Sequence, residues 1–228
     1  MQELLKHIRT FSNMSQAEFA EYLNVSFATV NRWENERAIP NKLAQSKIYD
    51  FCKKNGVPVY EMTLQRIQNA AQAVELEAGR VLLYHGSKSG IEGAIEPKSR
   101  KQCDFGKGFY MGTDPSQALT LICDYEKSKL YLVSIDTRQL AMLDVPADIN
   151  WAMLVAYNRG RMERISGTSF YSKYRDMAAS KDLIVGSIAN DRMFYVIDNF
   201  FIGNVTDSAL VHSLAALQLG KQYVAVSQ

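Results

Sequence analysis

Three short stretches of this chain carry side chains and backbone that chemistry can use. Tyr84-His85-Gly86-Ser87 closes an apolar run that begins at Val81. Asp104-Phe105-Gly106-Lys107-Gly108-Phe109-Tyr110 follows, and Gly220-Lys221-Gln222-Tyr223-Val224 comes near the end. Histidine and glutamine offer hydrogen bonds, tyrosine offers a ring that can stack on a planar group, and glycine lets a ligand approach bare backbone. Singly, each stretch is ordinary. The glycines around Lys107 miss the spacing of a phosphate loop, and no G-x-G-x-x-G opens a helix after a strand, which sets aside both nucleotide-binding signatures. His212 has no second His or Cys at metal spacing, so it reads as an exposed helical histidine and no metal site is expected.

The elements that must position these residues change character along the chain. From Arg80 onward, β-rich runs appear at Val81 to Tyr84, Leu130 to Ile135, Leu183 to Ile188 and Tyr223 to Val226, separated by turn-rich or helical stretches. That pattern predicts an α+β domain over residues 80–228. Ahead of it, Gly56-Val57-Pro58 interrupts helical periodicity and ends a first domain over residues 1–55. Residues 56–79 are a linker and one amphipathic helix. Its Tyr60, Leu64, Ile67, Ala71 and Val74 form a stripe about two heptads long, either a dimerisation seam or a face docked on one of the two domains.

The first domain reads as all-α. Leu4, Ile8 and Phe11 line one face of a first helix. Ser15 with Glu18 makes a capping box for a second helix, which Asn24 closes because asparagine tolerates a left-handed turn. Ser26 caps a third helix, in which Val30 and Trp33 face inward. Two short helices joined by a tight turn can present the second to the major groove. The string SQAEFAEYLNVSFATVNRWENERAIP resembles the Cro/repressor-like, Xre-type helix-turn-helix family over about residues 1–55. The resemblance implies DNA contacts at Gln16, Phe27, Thr29, Asn31 and Arg32. Gln16 and Asn31 suit adenine or phosphate, and Arg32 suits guanine or backbone. Asn24 replaces the usual glycine and Phe27 a common polar reader. The alternative is a helical packing module that has lost DNA binding.

Composition bounds the rest. The chain has 228 residues, 47 % hydrophobic and 22 % charged, ordinary for a folded protein. No apolar run is long enough to span a bilayer, and the charged residues near the N-terminus break up any secretory signal. Cys52, Cys103 and Cys123 are too few and scattered for a disulfide framework, so a reducing, cytoplasmic setting is expected. The net charge of +2 comes from residues 1–55, since the remainder is balanced. Such a small excess fits a small DNA footprint or a homodimer that doubles it.

Taken together and in order, LLYHGS, DFGKGFYMGTD and GKQYVAV resemble the ADP-ribosyltransferase superfamily of the diphtheria-toxin and poly(ADP-ribose) polymerase branch. Within it they look like a bacterial family of no settled function, often encoded beside small partner proteins in toxin–antitoxin-like pairs. The resemblance implies a split β-sheet over residues 80–228, NAD as substrate, no metal, and a protein or nucleic-acid acceptor. By the same resemblance, His85 bonds the adenosine ribose, Gly86 grips the nicotinamide carboxamide through its backbone, and Ser87 completes the motif. Tyr110 stacks on the nicotinamide, placed by Phe105 and Gly106, and Gln222 stands where the catalytic glutamate is usual.

Breaking the nicotinamide–ribose bond leaves an oxocarbenium-like ribose, which needs negative potential or oriented acceptors beside it. Gln222 supplies only a dipole. In polymerising relatives the glutamate also activates a ribose hydroxyl for chain extension, so the resemblance implies transfer of a single ADP-ribose here; alternatively Asp191, also a candidate for cofactor contact, supplies the missing charge. A second departure is Leu121, where polymerase-type relatives have another stacking tyrosine; Tyr125 lies one helical turn later. Asn158-Arg159 and Asn190-Asp191-Arg192 look like features of the bacterial family, serving either a pyrophosphate or surface charge pairing. Phe170, Tyr171, Lys173, Tyr174 and Arg175 read as a solvated loop or a nucleic-acid surface. Residues Ala209 to Leu219 lie where acceptor choice is made in the superfamily. The expected function is mono-ADP-ribosyl transfer by a toxin or defence effector, with DNA binding for autoregulation or targeting. The alternative is a transcription regulator whose degenerate transferase domain binds NAD without turnover.

Overall fold

The computed structural model describes residues 2–122, 127–189, 191–215 and 220–227. Cys123, Tyr125, Asn190 and the stretch from 216 to 219 lie outside the described residues. The chain divides into two compact units, Met1–Val74 and Glu75–Gln228.

The first unit is helical, with α1 (Gln2–Phe11), α2 (Gln16–Leu23), α3 (Phe27–Glu34), α4 (Lys42–Lys54) and α5 (Val59–Gln72). Local chemistry sets its boundaries. Ser15 and Glu18 form the reciprocal capping box at α2, and Asn24 ends that helix at φ 56° and ψ 49°. The Ser26 hydroxyl accepts the Thr29 N–H at the start of α3. The core gathers Leu5, Ile8, Phe19, Leu23, Val30, Trp33, Ile48 and Phe51. Leu5 takes the inward place expected of Phe11, which is 51 % exposed. The α5 helix belongs to this unit, packing Val59 and Met62 on its core. Tyr60, in the expected apolar stripe, is 49 % exposed.

The second unit is a mixed α/β domain around a six-stranded sheet of order β3-β1-β2-β6-β5-β4. Its strands are β1 (Arg80–Ser87), β2 (Phe109–Gly112), β3 (Lys129–Asp136), β4 (Met142–Val145), β5 (Leu183–Ser187) and β6 (Lys221–Ala225). The four apolar runs seen in the sequence are β1, β3, β5 and β6. The other two have four residues each, too short to show a period. The helices are α6 (Pro115–Ile122), α7 (Ile149–Asn158), α8 (Ser169–Met177), α9 (Asp191–Phe201) and α10 (Asp207–Ala215). Residues Trp151 to Ala156 of α7 are buried without a break, because this helix runs through the main core.

Two features of the sheet matter for the site. The β1 strand pairs with β3 along its whole length, whereas it meets β2 at the one bridge Tyr84↔Gly112. The sheet thus opens between β1 and β2 beyond Tyr84. Secondly, cross-strand partners share a face and successive residues alternate. Tyr84, Gly112, Gln222 and Gly186 lie in one row, with Gly86, Tyr110, Val224 and Ile184 on the same face.

Candidate functional site

The strands carrying the three sequence motifs, β1, β2 and β6, are immediate neighbours in the sheet. Gly86, Tyr110 and Gln222 project from one face, around the opening between β1 and β2. His85, one residue before Gly86, turns to the other face, where its ring stacks on Phe109 at 4.1 Å between centroids. It reaches across the opening by donating its Nδ1–H to the Tyr110 carbonyl at 2.7 Å, since a carbonyl can only accept. That bond leaves Nε2 as the acceptor of the neutral ring. Burial pushes the imidazole below the ordinary histidine value, against an upward pull from the Tyr110 carbonyl.

Tyr110 is held by its own loop. Its hydroxyl donates to the Gly106 carbonyl at 2.8 Å and accepts the Phe105 N–H at 3.0 Å. Burial raises its phenol far above the ordinary range, so it stays a donor at any working pH. Gly106 adopts φ +77°, the left-handed region that favours glycine, with the Asn158 side chain packed over it. Phe105 is buried against Gly186, where a Cβ would stand 2.6 Å from the ring. Ser87 turns its hydroxyl to the Gly90 carbonyl at 2.9 Å.

Gly86 is required for a reason that its motif does not show. A Cβ there would stand 2.5 Å from the Ala118 carbonyl oxygen and 2.9 Å from Ile122 Cγ2. The α6 helix packs directly on the bare backbone, so glycine serves helix–strand contact as well as any ligand approach.

Gln222 is 6 % exposed and sits in a polar cluster within the main core. Its amide nitrogen donates to Asp104 Oδ2 at 2.9 Å and to the Ser187 carbonyl at 3.1 Å. Two acceptors on one side fix the amide with its NH2 toward them and turn its oxygen away from both. The Ser187 carbonyl also accepts Trp151 Nε1–H at 2.9 Å. Asp104 is the hub. Its Oδ1 takes the Arg159 guanidinium at 2.7 and 3.2 Å, and its Oδ2 takes the Ala189 N–H at 3.1 Å beside Gln222. Asn158 donates to the Asp104 backbone carbonyl at 3.1 Å.

These contacts correct several expectations. Asp191, read as a substitute charge, is exposed at the first turn of α9. The carboxylate beside Gln222 is Asp104, whose sequence neighbours gave no hint of it. Arg159, read as a pyrophosphate or surface residue, pairs with that carboxylate and lies over the Phe194 ring. Leu121 is 67 % exposed, so no second ring stacks from that position. Phe170 to Arg175 lie on α8 and not in a loop; Tyr174 is buried, Lys173 donates to Asn150 and exposed Arg175 pairs with exposed Asp176. His212 is the exposed helical histidine expected from the sequence, donating Nδ1–H to the Ser208 carbonyl.

In the first unit, Phe27 is 54 % exposed and Arg32 is exposed on α3. Gln16, Asn31 and Thr29 are engaged internally. Gln16 donates to Glu34 at 2.7 Å and accepts from Asn31 at 3.2 Å, while Thr29 shares a bond with Ser26. Arg9 pairs with the same Glu34 at 2.7 Å, which crosslinks α1, α2 and α3. Burial pushes the Glu34 carboxyl up, but the Arg9 and Gln16 hydrogen bonds and the charges of Arg9 and Lys6 outweigh it and hold it low.

Among the described residues, no three His, Cys, Asp or Glu side chains gather to hold a metal ion, and no helix is long and apolar enough to cross a membrane. A family model described as "Protein of unknown function (DUF3990)" matches residues 81–228, and one described as "Helix-turn-helix" matches residues 5–45. No curated protein and no solved structure matches the chain.

Proposed function

Because the chain belongs to the DUF3990 family and carries a DNA-binding helix-turn-helix domain ahead of the matched region, we propose that it couples DNA binding to NAD-dependent transfer of single ADP-ribose units. One observation carries this reading: the three motif strands are adjacent, and Gly86, Tyr110 and Gln222 share a face at the opening between β1 and β2. Gly86 and Tyr110 suit a flat, polar ring such as nicotinamide. The Gln222 oxygen suits a ribose hydroxyl, whereas the His85 ring, on the opposite face, holds the β2 backbone at Tyr110 and lies outside this group. In the reaction, the bond between nicotinamide and ribose breaks, nicotinamide leaves with the bonding electrons, and an acceptor nucleophile on protein or nucleic acid adds to the ribose carbon and loses a proton. The protein's part is to hold the ring still and put acceptors beside a ribose that gains positive charge. Autoregulation, a toxin role and a small antitoxin partner belong to the same reading.

The test is incubation of the full chain with labelled NAD and lysate, reading nicotinamide release and dividing the label between nuclease-sensitive and protease-sensitive material. Release with transfer to either fraction supports the proposal, and no release refutes it. A specific observation favours a second reading. Gln222 is nearly buried and both of its amide protons are taken, with no unpaired carboxylate at that position. A regulator that binds NAD without turnover would show NAD-dependent DNA affinity and no nicotinamide. Turnover that is abolished by Tyr110→Ala would exclude it.

A further inference from the structure

The residue left unexplained by the proposed site is Asp104. A carboxylate this deeply buried requires a full set of donors, and it has four: Arg159 Nε and Nη2, the Ala189 N–H and the Gln222 amide. With every lone pair spoken for, Asp104 has none to spare for a substrate. It instead faces the NH2 end of the Gln222 amide, whose oxygen is turned away from it.

We propose that Asp104 is a positioning residue: it fixes the Gln222 amide with its oxygen toward the substrate ribose and supplies, through that amide, the negative potential that a glutamate would otherwise bring. The inference rests on the reading of Gln222 as part of an ADP-ribose transfer site. Its physics is that of polarised hydrogen-bond chains: a charge accepting from the amide N–H draws the proton side toward it and leaves the oxygen more negative. It also explains why glutamine stands at 222. A glutamate would set a second carboxylate against Asp104 Oδ2 and the Ser187 carbonyl, both acceptors, where the neighbouring cation Arg159 is already committed to Asp104. Tyr110 on β2, whose phenol feels the charges of Asp104 and Arg159, brings no positive charge of its own.

The experiment uses the full chain and three variants, Asp104→Asn, Gln222→Glu and the two together, with two readouts. The first is nicotinamide release from NAD. Asp104→Asn should lower kcat by about 10- to 100-fold with KM changed by less than about 3-fold, because the oxygen's potential matters most as charge develops. Gln222→Glu should be impaired at neutral pH and recover toward pH 5, where the new carboxyl takes a proton and donates it to Asp104. The double variant should exceed Gln222→Glu alone. The second readout is the thermal midpoint without NAD. Gln222→Glu should melt several degrees below wild type at neutral pH and approach it in acid. The sign follows from a carboxyl whose folded pKa is raised: the penalty is absent below its unfolded value, near 4.3, and grows as pH rises through the folded value.

An unchanged kcat in Asp104→Asn, or a Gln222→Glu variant that is more active and no less stable at neutral pH, overturns the proposal while leaving the transfer reading intact. Nicotinamide release from none of the proteins, wild type included, overturns the transfer reading and this role with it, even where the pH-dependent melting appears.

Discussion

Replacing Gly86 with alanine puts a methyl carbon 2.5 Å from the Ala118 carbonyl oxygen and 2.9 Å from Ile122 Cγ2. The first neighbour is helical backbone, so relief requires α6 as a whole to move off β1, or β1 to move away from it. Forced overpacking of this kind costs about 1–3 kcal/mol. For a domain of this size each kcal/mol lowers the melting temperature by about 2–4 °C. The expected loss is therefore several degrees. Gly167→Ala is the control, because a Cβ there has no neighbour within 4 Å and its φ is not left-handed; it should stay within about 0.5 kcal/mol of wild type. The assay is urea unfolding followed by tryptophan fluorescence. The chain has two tryptophans, and a Trp33→Phe background leaves buried Trp151 to report the second unit alone. A fall in midpoint without a change in slope marks lost stability. If Gly86→Ala unfolds at the parent midpoint, or Gly167→Ala loses as much, the argument that α6 seats on bare backbone is wrong. A variant of full stability with reduced NAD affinity would assign Gly86 to ligand contact alone.

Three further outcomes are expected. Glu34→Gln should destabilise the first unit by about 3 kcal/mol, because it strips a buried ion pair of one partner. Since the Glu34 carboxyl is held low, its contribution is present above about pH 4.3 and lost as pH falls through the folded value, so the gap between variant and wild type should close in acid melts. Arg32→Ala, removing an exposed cation from α3, should weaken binding to duplex DNA and reduce the slope of log affinity against log salt by about 0.9; an unchanged slope would place α3 away from phosphate. The His85 imidazole should titrate below about 6.5 by NMR, with the proton of the neutral ring on Nδ1. Its folded value being depressed, it supports stability above that pH and loses this contribution as acid charges the ring. A proton on Nε2 would contradict the bond to Tyr110, and a midpoint above about 6.5 would contradict the dominance of burial over that bond.

Much of the first unit was legible in the chain because its signals are local. Ser15, Glu18, Asn24 and Ser26 act on backbone within a few residues, so their types announce the helix ends they form. The inward places of Val30 and Trp33 follow from helical period. Phe11 misled because Leu4, Leu5 and Ile8 leave two overlapping apolar faces on α1, and only the packing partners choose between them. Gln16 and Asn31 carry the right groups for bases, yet Glu34 claims one of them and the two bond to each other.

By itself, the sequence determined the helix-turn-helix, the four longer strands and the three stretches that meet around β1, β2 and β6. Periodicity, capping and motif order are properties of neighbouring residues. Only the tertiary structure decided the two short strands, the face that His85 takes, the α6 contact that demands Gly86, and the cluster around Gln222. Asp104 shows the reason most plainly. Its partners lie 55, 85 and 118 residues away, and a buried carboxylate is tolerable only where all of them arrive at once. No local pattern encodes such a meeting, because the chain reaches it through the pairing of β2 with β6 and the burial of α7.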